Sequence, residues 1–253
     1  MMREIKHKSF AELVGFPECT NRIPSGTQDT HSTTVLALRF KEGIVNLGDR
    51  RATSANYIMY DRADKILPLD DYTLVAVAGS FARSVEVARY LRHAFKYYAR
   101  MHLQDLSLEG KLQEVSRALV ANLSLAMDGI GMFLPVVSAY DPSKNTFAIY
   151  FFDALGARFE NSEFGCAGSG AERIRGVFDF IKRTKGPFEK RSLEDVLTDG
   201  LVMLDIASQL DSATGGLERV PPVAKILTSD GIQNIPESDL IKAIRSLESS
   251  TKK

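Results

Sequence analysis

Apolar residues recur along the chain with a period of two in some stretches and near 3.6 in others, and the order of those stretches predicts the architecture. Thr34 to Phe40 and Ile44 to Gly48 are apolar runs separated by Lys41-Glu42-Gly43, a short loop with glycine where a tight reversal favours positive φ, so they predict a β-hairpin. Tyr72 to Ala78 is apolar throughout, as expected of a strand covered on both faces. From Ser80 the period lengthens. Phe81, Val85, Ala88, Leu91, Phe95 and Tyr98 mark one side of a helix whose other side is basic, with Arg83, Arg89, Arg92 and Lys96. A second helix, about Gly110 to Met127, repeats the pattern through Leu112, Val115, Leu119, Leu123 and Ala126.

Met132 to Tyr140 and Thr146 to Phe152 follow as strands joined by the turn Asp141-Pro142-Ser143-Lys144-Asn145. After Gly168-Ser169-Gly170 a helix is expected to about Thr184. Ser192, with Asp195 three residues on, reads as the N-cap of another helix running to Leu210. Val223 to Thr228 and Ile232 to Ile235 flank Ser229-Asp230-Gly231 as a last hairpin, and Glu237 to Leu247 is a short amphipathic helix. Strands, two helices, strands, two helices, strands: this order implies antiparallel sheet covered by helix pairs, an α+β layered fold rather than a βαβ one.

With 253 residues and 44% apolar content the chain suits one large domain. Thirty-two basic and thirty-two acidic side chains cancel, which gives no electrostatic reason to expect nucleic acid or an anionic membrane as partner. Cys19 and Cys166 lie far apart in no metal-like spacing and are expected to be free thiols of a reducing compartment. Residues 1–32 lack sustained periodicity, and their longest apolar run, Leu13 to Phe16, is too short for a secretory signal. No stretch has the roughly 18 apolar residues of a membrane span. A soluble, cytoplasmic protein is expected, with residues 1–32 as a leader, 33–247 as the functional domain and 248–253 as a polar tail.

The leader runs straight into Thr33-Thr34-Val35. Were the chain cut after Ser32, Thr33 would carry both a hydroxyl nucleophile and an amine able to serve as its base. Elsewhere the chemistry is ambiguous. Asp49 in Gly48-Asp49-Arg50-Arg51-Ala52-Thr53 and Lys65 in Asp61-Arg62-Ala63-Asp64-Lys65-Ile66 look, singly, like solvated strand ends. Gly79 either connects a strand to a helix or aims its N–H at an oxyanion. Gly168-Ser169-Gly170 is either a tight turn or an anion cradle, and Asp211-Ser212-Ala213-Thr214-Gly215-Gly216 is a good helix stop. His7, His31, His93 and His102 show no ligand spacing, which speaks against a zinc site or a histidine triad.

Taken together, six motifs in one order resemble a bacterial, actinobacterial-type proteasome β-subunit of the N-terminal nucleophile hydrolase family. They are Thr33-Thr34-Val35, residues 48–53 with Asn56 following, Lys65-Ile66, Val77-Ala78-Gly79-Ser80, Gly168-Ser169-Gly170 and residues 211–216. The resemblance spans residues 33 to about 240. It implies a four-layer αββα sandwich, a leader removed between Ser32 and Thr33, and threonine endopeptidase activity without metal or organic cofactor. It further implies that Thr33 is the nucleophile, that Lys65 lowers the pKa of the Thr33 amine, and that Asp49 pairs with Lys65. Gly79 would supply the oxyanion N–H, and Ser169, Asp211 and Thr214 would surround the amine. Thr53 would pair with an extended substrate, while Ala52, Ala63, Val77 and Phe81 would line an uncharged pocket for the residue before the cut.

The partners so implied are further copies in a β ring, rings of α-subunits, an ATP-dependent unfoldase or other regulator acting through them, and protein or peptide substrates. Two positions depart from the family pattern. Ser32 stands where glycine is usual, which is expected to slow self-processing, and Ala171 replaces a serine found in many relatives. A shorter bacterial threonine peptidase that pairs with an unfoldase fits the length less well. The non-enzymatic alternative is a structural ring subunit of the same fold that is never processed.

Overall fold

A computed structural model describes residues 33–54, 57–129, 131–161 and 163–251. The leader, with Ser32, Cys19, His7 and His31, and also Asn56, lies outside the described residues. Two five-stranded antiparallel sheets form the centre. The first is built from β1 (Thr34–Phe40), β2 (Gly43–Gly48), β10 (Phe164–Gly168), β11 (Val223–Thr228) and β12 (Gly231–Asn234), in the order β10-β1-β2-β11-β12. The second follows chain order through β5 (Ile66–Asp70), β6 (Thr73–Gly79), β7 (Phe133–Asp141), β8 (Thr146–Phe152) and β9 (Arg158–Asn161). A separate two-stranded sheet joins β3 (Ala52–Ser54) to β4 (Tyr57–Tyr60).

Strand periodicity explains the layering. In β6, Val75 and Val77 pack under α1 (Phe81–His102) and α2 (Leu108–Met127), whereas Leu74, Ala76 and Ala78 face the other sheet. In β1, Leu36, Leu38 and Phe40 meet the helices on the far side while Val35 and Ala37 enter the inter-sheet layer. Those far-side helices are α3 (Ala171–Lys185), α4 (Leu193–Leu210) and α5 (Glu237–Thr251). The result is the α+β layered fold that the order of elements predicts and the αββα sandwich that the family resemblance implies. Small residues let the sheets approach: a Cβ on Gly165 of β10 would fall 2.8 Å from the Ile149 side chain.

The three expected hairpins form, and β1, β8 and β11 have the bounds the pattern gave. Ser192 caps α4, its hydroxyl accepting the Asp195 N–H at 3.2 Å and donating to the Asp195 carboxylate at 2.8 Å. Other expectations are corrected. Helix α5 continues to Thr251, four residues beyond Leu247, because nothing in Glu248 to Thr251 breaks it. Arg83 does not share the outer, basic side of α1 expected of it with Arg89, Arg92 and Lys96. It is buried, its Nε donating to Asn122 Oδ1 at 2.6 Å and its Nη1 to Glu86 at 2.5 Å.

Candidate active site

Four chain segments meet at one carboxylate. Asp49, at the end of β2, is 2% exposed, and its Oδ1 accepts the Thr34 N–H at 2.8 Å and Lys65 Nζ at 2.9 Å. Its Oδ2 accepts the N–H groups of Arg51 at 2.9 Å and Gly215 at 3.0 Å. Four donors fix the carboxylate's orientation, two per oxygen, and the ionised form gains charge-assisted bonds. Lys65 is 1% exposed and also donates to the Arg51 carbonyl. Burial pulls its pKa below the usual lysine value and the Arg51 guanidinium pulls the same way, against the opposing pull of Asp49 and Asp211. Neither residue is the solvated strand end that it resembles when read alone.

Thr33 precedes β1, buried, with its carbonyl pressed on Gly168, where a Cβ would fall 1.6 Å from the oxygen. Gly168 has φ +109°, in the region open to glycine. Thr34 pairs with Gly168 across the β1–β10 ladder, which sets Ser169 just beyond Thr33. A chain of hydroxyls then crosses the site. Ser169 Oγ and Thr214 Oγ1 both donate to Asp211 Oδ2, at 2.5 and 2.6 Å, and Thr34 Oγ1 lies 2.7 Å from Thr214 Oγ1. Because each hydroxyl has one proton and that of Thr214 goes to Asp211, Thr34 is the donor to Thr214. Gly170 must be glycine for this contact, since a Cβ would lie 2.3 Å from Thr34 Oγ1.

Gly79 ends β6 at φ +98°, and a Cβ there would fall 2.2 Å from the Met132 carbonyl. That carbonyl accepts the Ser80 N–H at 2.7 Å, and the adjoining Gly131 carbonyl is held by Asn122 Nδ2 at 2.5 Å. Backbone bonds from Ala63 to Arg50 (3.0 Å) and from Val77 to Lys65 (2.9 Å) bring those two pocket candidates to the Asp49 and Lys65 loops. The Val77 side chain joins the cluster containing Val87 and Leu91, and Phe81 opens α1 half-buried. Ala52 pairs with Tyr60, and Thr53 sits at a register shift in β3.

The proposed nucleophile, the Asp49–Lys65 pair and the Ser169, Asp211 and Thr214 cluster are thus joined through Thr34, which touches both groups. The family model for "Proteasome subunit" matches residues 30–217. This chain belongs to the proteasome subunit family. Among its relatives, a protein named proteasome subunit beta from Streptosporangium roseum is 32% identical over 243 residues, covering 92% of this chain and 84% of that protein. One of the same name from Streptomyces griseus is 30% identical over 228 residues, covering 89% and 79%. A third, from Acidimicrobium ferrooxidans, is 32% identical over 223 residues, covering 85% and 78%.

Sequence reasoning about this proteasome-family chain missed Thr34 and Arg51 as parts of the site. Arg51 donates to the carbonyls of Ser212 at 3.1 Å and Thr214 at 3.3 Å, clamping the loop that carries Asp211. Its signal was its place in the motif at 48–53, two residues after Asp49. No helix among the described residues is long and apolar enough to cross a membrane.

Proposed function

We propose that this chain is a threonine endopeptidase subunit of a proteasome core particle, activated by autocatalytic cleavage of the Ser32–Thr33 bond. One observation carries the assignment: a buried Asp49–Lys65 pair whose carboxylate also holds the N–H of Thr34, the residue next to the nucleophile. During maturation Thr33 Oγ attacks the Ser32 carbonyl carbon, an ester replaces the peptide bond, and the hydroxyl proton passes to the nitrogen. Water then hydrolyses the ester, releasing residues 1–32 and leaving a free amine and a free hydroxyl on Thr33.

In turnover that amine takes the Oγ proton as Oγ attacks the substrate carbonyl, then gives it to the departing amine. Water, deprotonated by the same amine, hydrolyses the acyl ester. A free α-amine has a pKa of about 7.7 to 8.0, and the Lys65 ammonium beside it disfavours its protonated form. The Ser169 proton is committed to Asp211, so Ser169 Oγ meets the amine as an acceptor and turns its lone pair toward Thr33 Oγ. The Gly79 N–H stabilises the oxyanion, a contribution of ~2.7 to 4 kcal/mol for comparable donors. An extended substrate pairs with β3 at Thr53. The uncharged Ala52, Ala63, Val77 and Phe81 favour apolar residues before the cut.

The chain works in a ring of its own copies stacked on α-subunit rings, with an unfoldase or other regulator feeding it protein. Intact mass and peptide hydrolysis of assembled particles test the assignment. The wild type is expected to lack residues 1–32 and to hydrolyse peptides, whereas Thr33→Ala keeps the leader and hydrolyses none. Turnover with the leader attached would refute it, and an assembled, unprocessed, inactive wild type would establish the structural ring subunit instead.

A further inference from the structure

We propose that Lys225 is a positioning residue for Lys65, an inference that rests on the role given to Lys65 above. Lys225 lies in the middle of β11, opposite Asn46 of β2. Val223 and Leu227, two residues away on either side and on the same face of the strand, belong to the apolar layer between the sheets. Strand periodicity therefore turns Lys225 into that layer, where it is 7% exposed. An ammonium group buried there is costly unless its charge is met, and an apolar residue would fill the place at lower cost.

The charge is met by the two residues that flank Lys65. Lys225 Nζ donates to Asp64 Oδ2 at 2.7 Å and to the Ile66 carbonyl. The other Asp64 oxygen, Oδ1, accepts the Ile66 N–H at 3.0 Å. Lys225, Asp64 and Ile66 thereby close a clamp around the backbone of Lys65, whose own carbonyl accepts the Val77 N–H at 2.9 Å. From that fixed base the Lys65 side chain reaches Asp49 at 2.9 Å, with Arg51 and Asp211 the other charges that act on it.

The same strand governs the other partner. Val223 of β11 pairs with Gly48, the residue before Asp49. β11 thus fixes the backbone that carries Lys65 and the strand that delivers Asp49, which sets the separation of the pair. Without Lys225 the backbone at 64–66 loses the ammonium that ties Asp64 to the Ile66 carbonyl, and the Lys65 ammonium drifts from the Thr33 amine.

The test is Lys225→Met and Asp64→Asn in the full chain, assayed as assembled particles. Asp64→Asn keeps an acceptor for the Ile66 N–H and removes the charge opposite Lys225. For Lys225→Met, kcat is expected to fall about tenfold to a hundredfold, with KM held within about twofold. The acidic limb of the kcat/KM profile is expected to move to higher pH, because the Thr33 amine is then less repelled by Lys65. Asp64→Asn is expected to move both quantities in the same direction by less. A merely structural role would lower the melting temperature and leave the limb in place. Assembled variants with unchanged kcat and an unmoved limb would overturn the proposal. If Lys225→Met does not assemble, Asp64→Asn decides, since Asp64 is half exposed and its loss opens no cavity. Failure of the underlying assignment shows elsewhere, as peptide hydrolysis that survives Thr33→Ala.

Discussion

Asp211 shows how little freedom single atoms have in this site. Its Oδ2 receives two hydroxyl protons while its Oδ1 receives the Ala213 N–H at 3.3 Å. An amide in its place either sets its NH2 against the Ala213 N–H, donor to donor, or turns the NH2 to the two hydroxyls, which must then accept and send their protons elsewhere. Asp211→Asn is accordingly expected to lower kcat about tenfold to a hundredfold with little change in KM, measurable with a fluorogenic peptide. Cys166 supports a prediction about pH. Burial pushes its thiol up from the ordinary 9.0 to about 11. Peptide-resolved alkylation should leave Cys166 largely unmodified at pH 8 in the folded protein and label it on unfolding. The linkage has a definite sign: between 9.0 and about 11 only the unfolded chain releases this proton, so the stabilisation is complete below 9 and lost as pH rises. Charge burial was the part of the site that the residues did not disclose. Asp49 and Lys65 look like turn residues because their partners come from distant segments: Thr34 and Gly215 donate to Asp49, and Lys65 donates to Asp49 and to the Arg51 carbonyl.

Among the elements, legibility followed the strength of each pattern. Strand β8 carries an uninterrupted apolar run bounded by turn residues, and in β1 and β11 the apolar run is broken by a charge only at Arg39 and Lys225. Strand β5 contains Pro68 beside a register shift, and β10 is Phe-Gly-Cys-Ala-Gly, so neither shows a period. Only pairing with β6 and β1 makes them strands. Helix α4 lies close on the first sheet because Gly200 has no side chain. A Cβ there would meet Leu47 at 2.6 Å and Leu38 at 3.2 Å, both at flexible side-chain ends. Gly200→Ala gains helix propensity but forces those leucines aside, and a net loss of about 1 to 3 kcal/mol is expected in chemical denaturation. Ser192→Ala removes the cap of the same helix and is expected to cost about 1 kcal/mol. The two sites are a helix turn or more apart, so their effects should add.

At the scale of the whole molecule, helices cover both outer faces, and the proposed nucleophile stands at the mouth of the first sheet. Peptide hydrolysis is expected to elute with assembled particles on size exclusion and to be absent from any monomer fraction. The Asp49 carboxylate carries a consequence for biosynthesis. Its donors come from positions 34, 51, 65 and 215, so its last hydrogen bond waits until about five-sixths of the chain has left the ribosome. A nascent or truncated polypeptide ending before Gly215 holds no finished cutting centre. The proposed peptidase is thereby kept from acting before nearly all of its own chain is made, a safeguard that precedes leader removal and assembly.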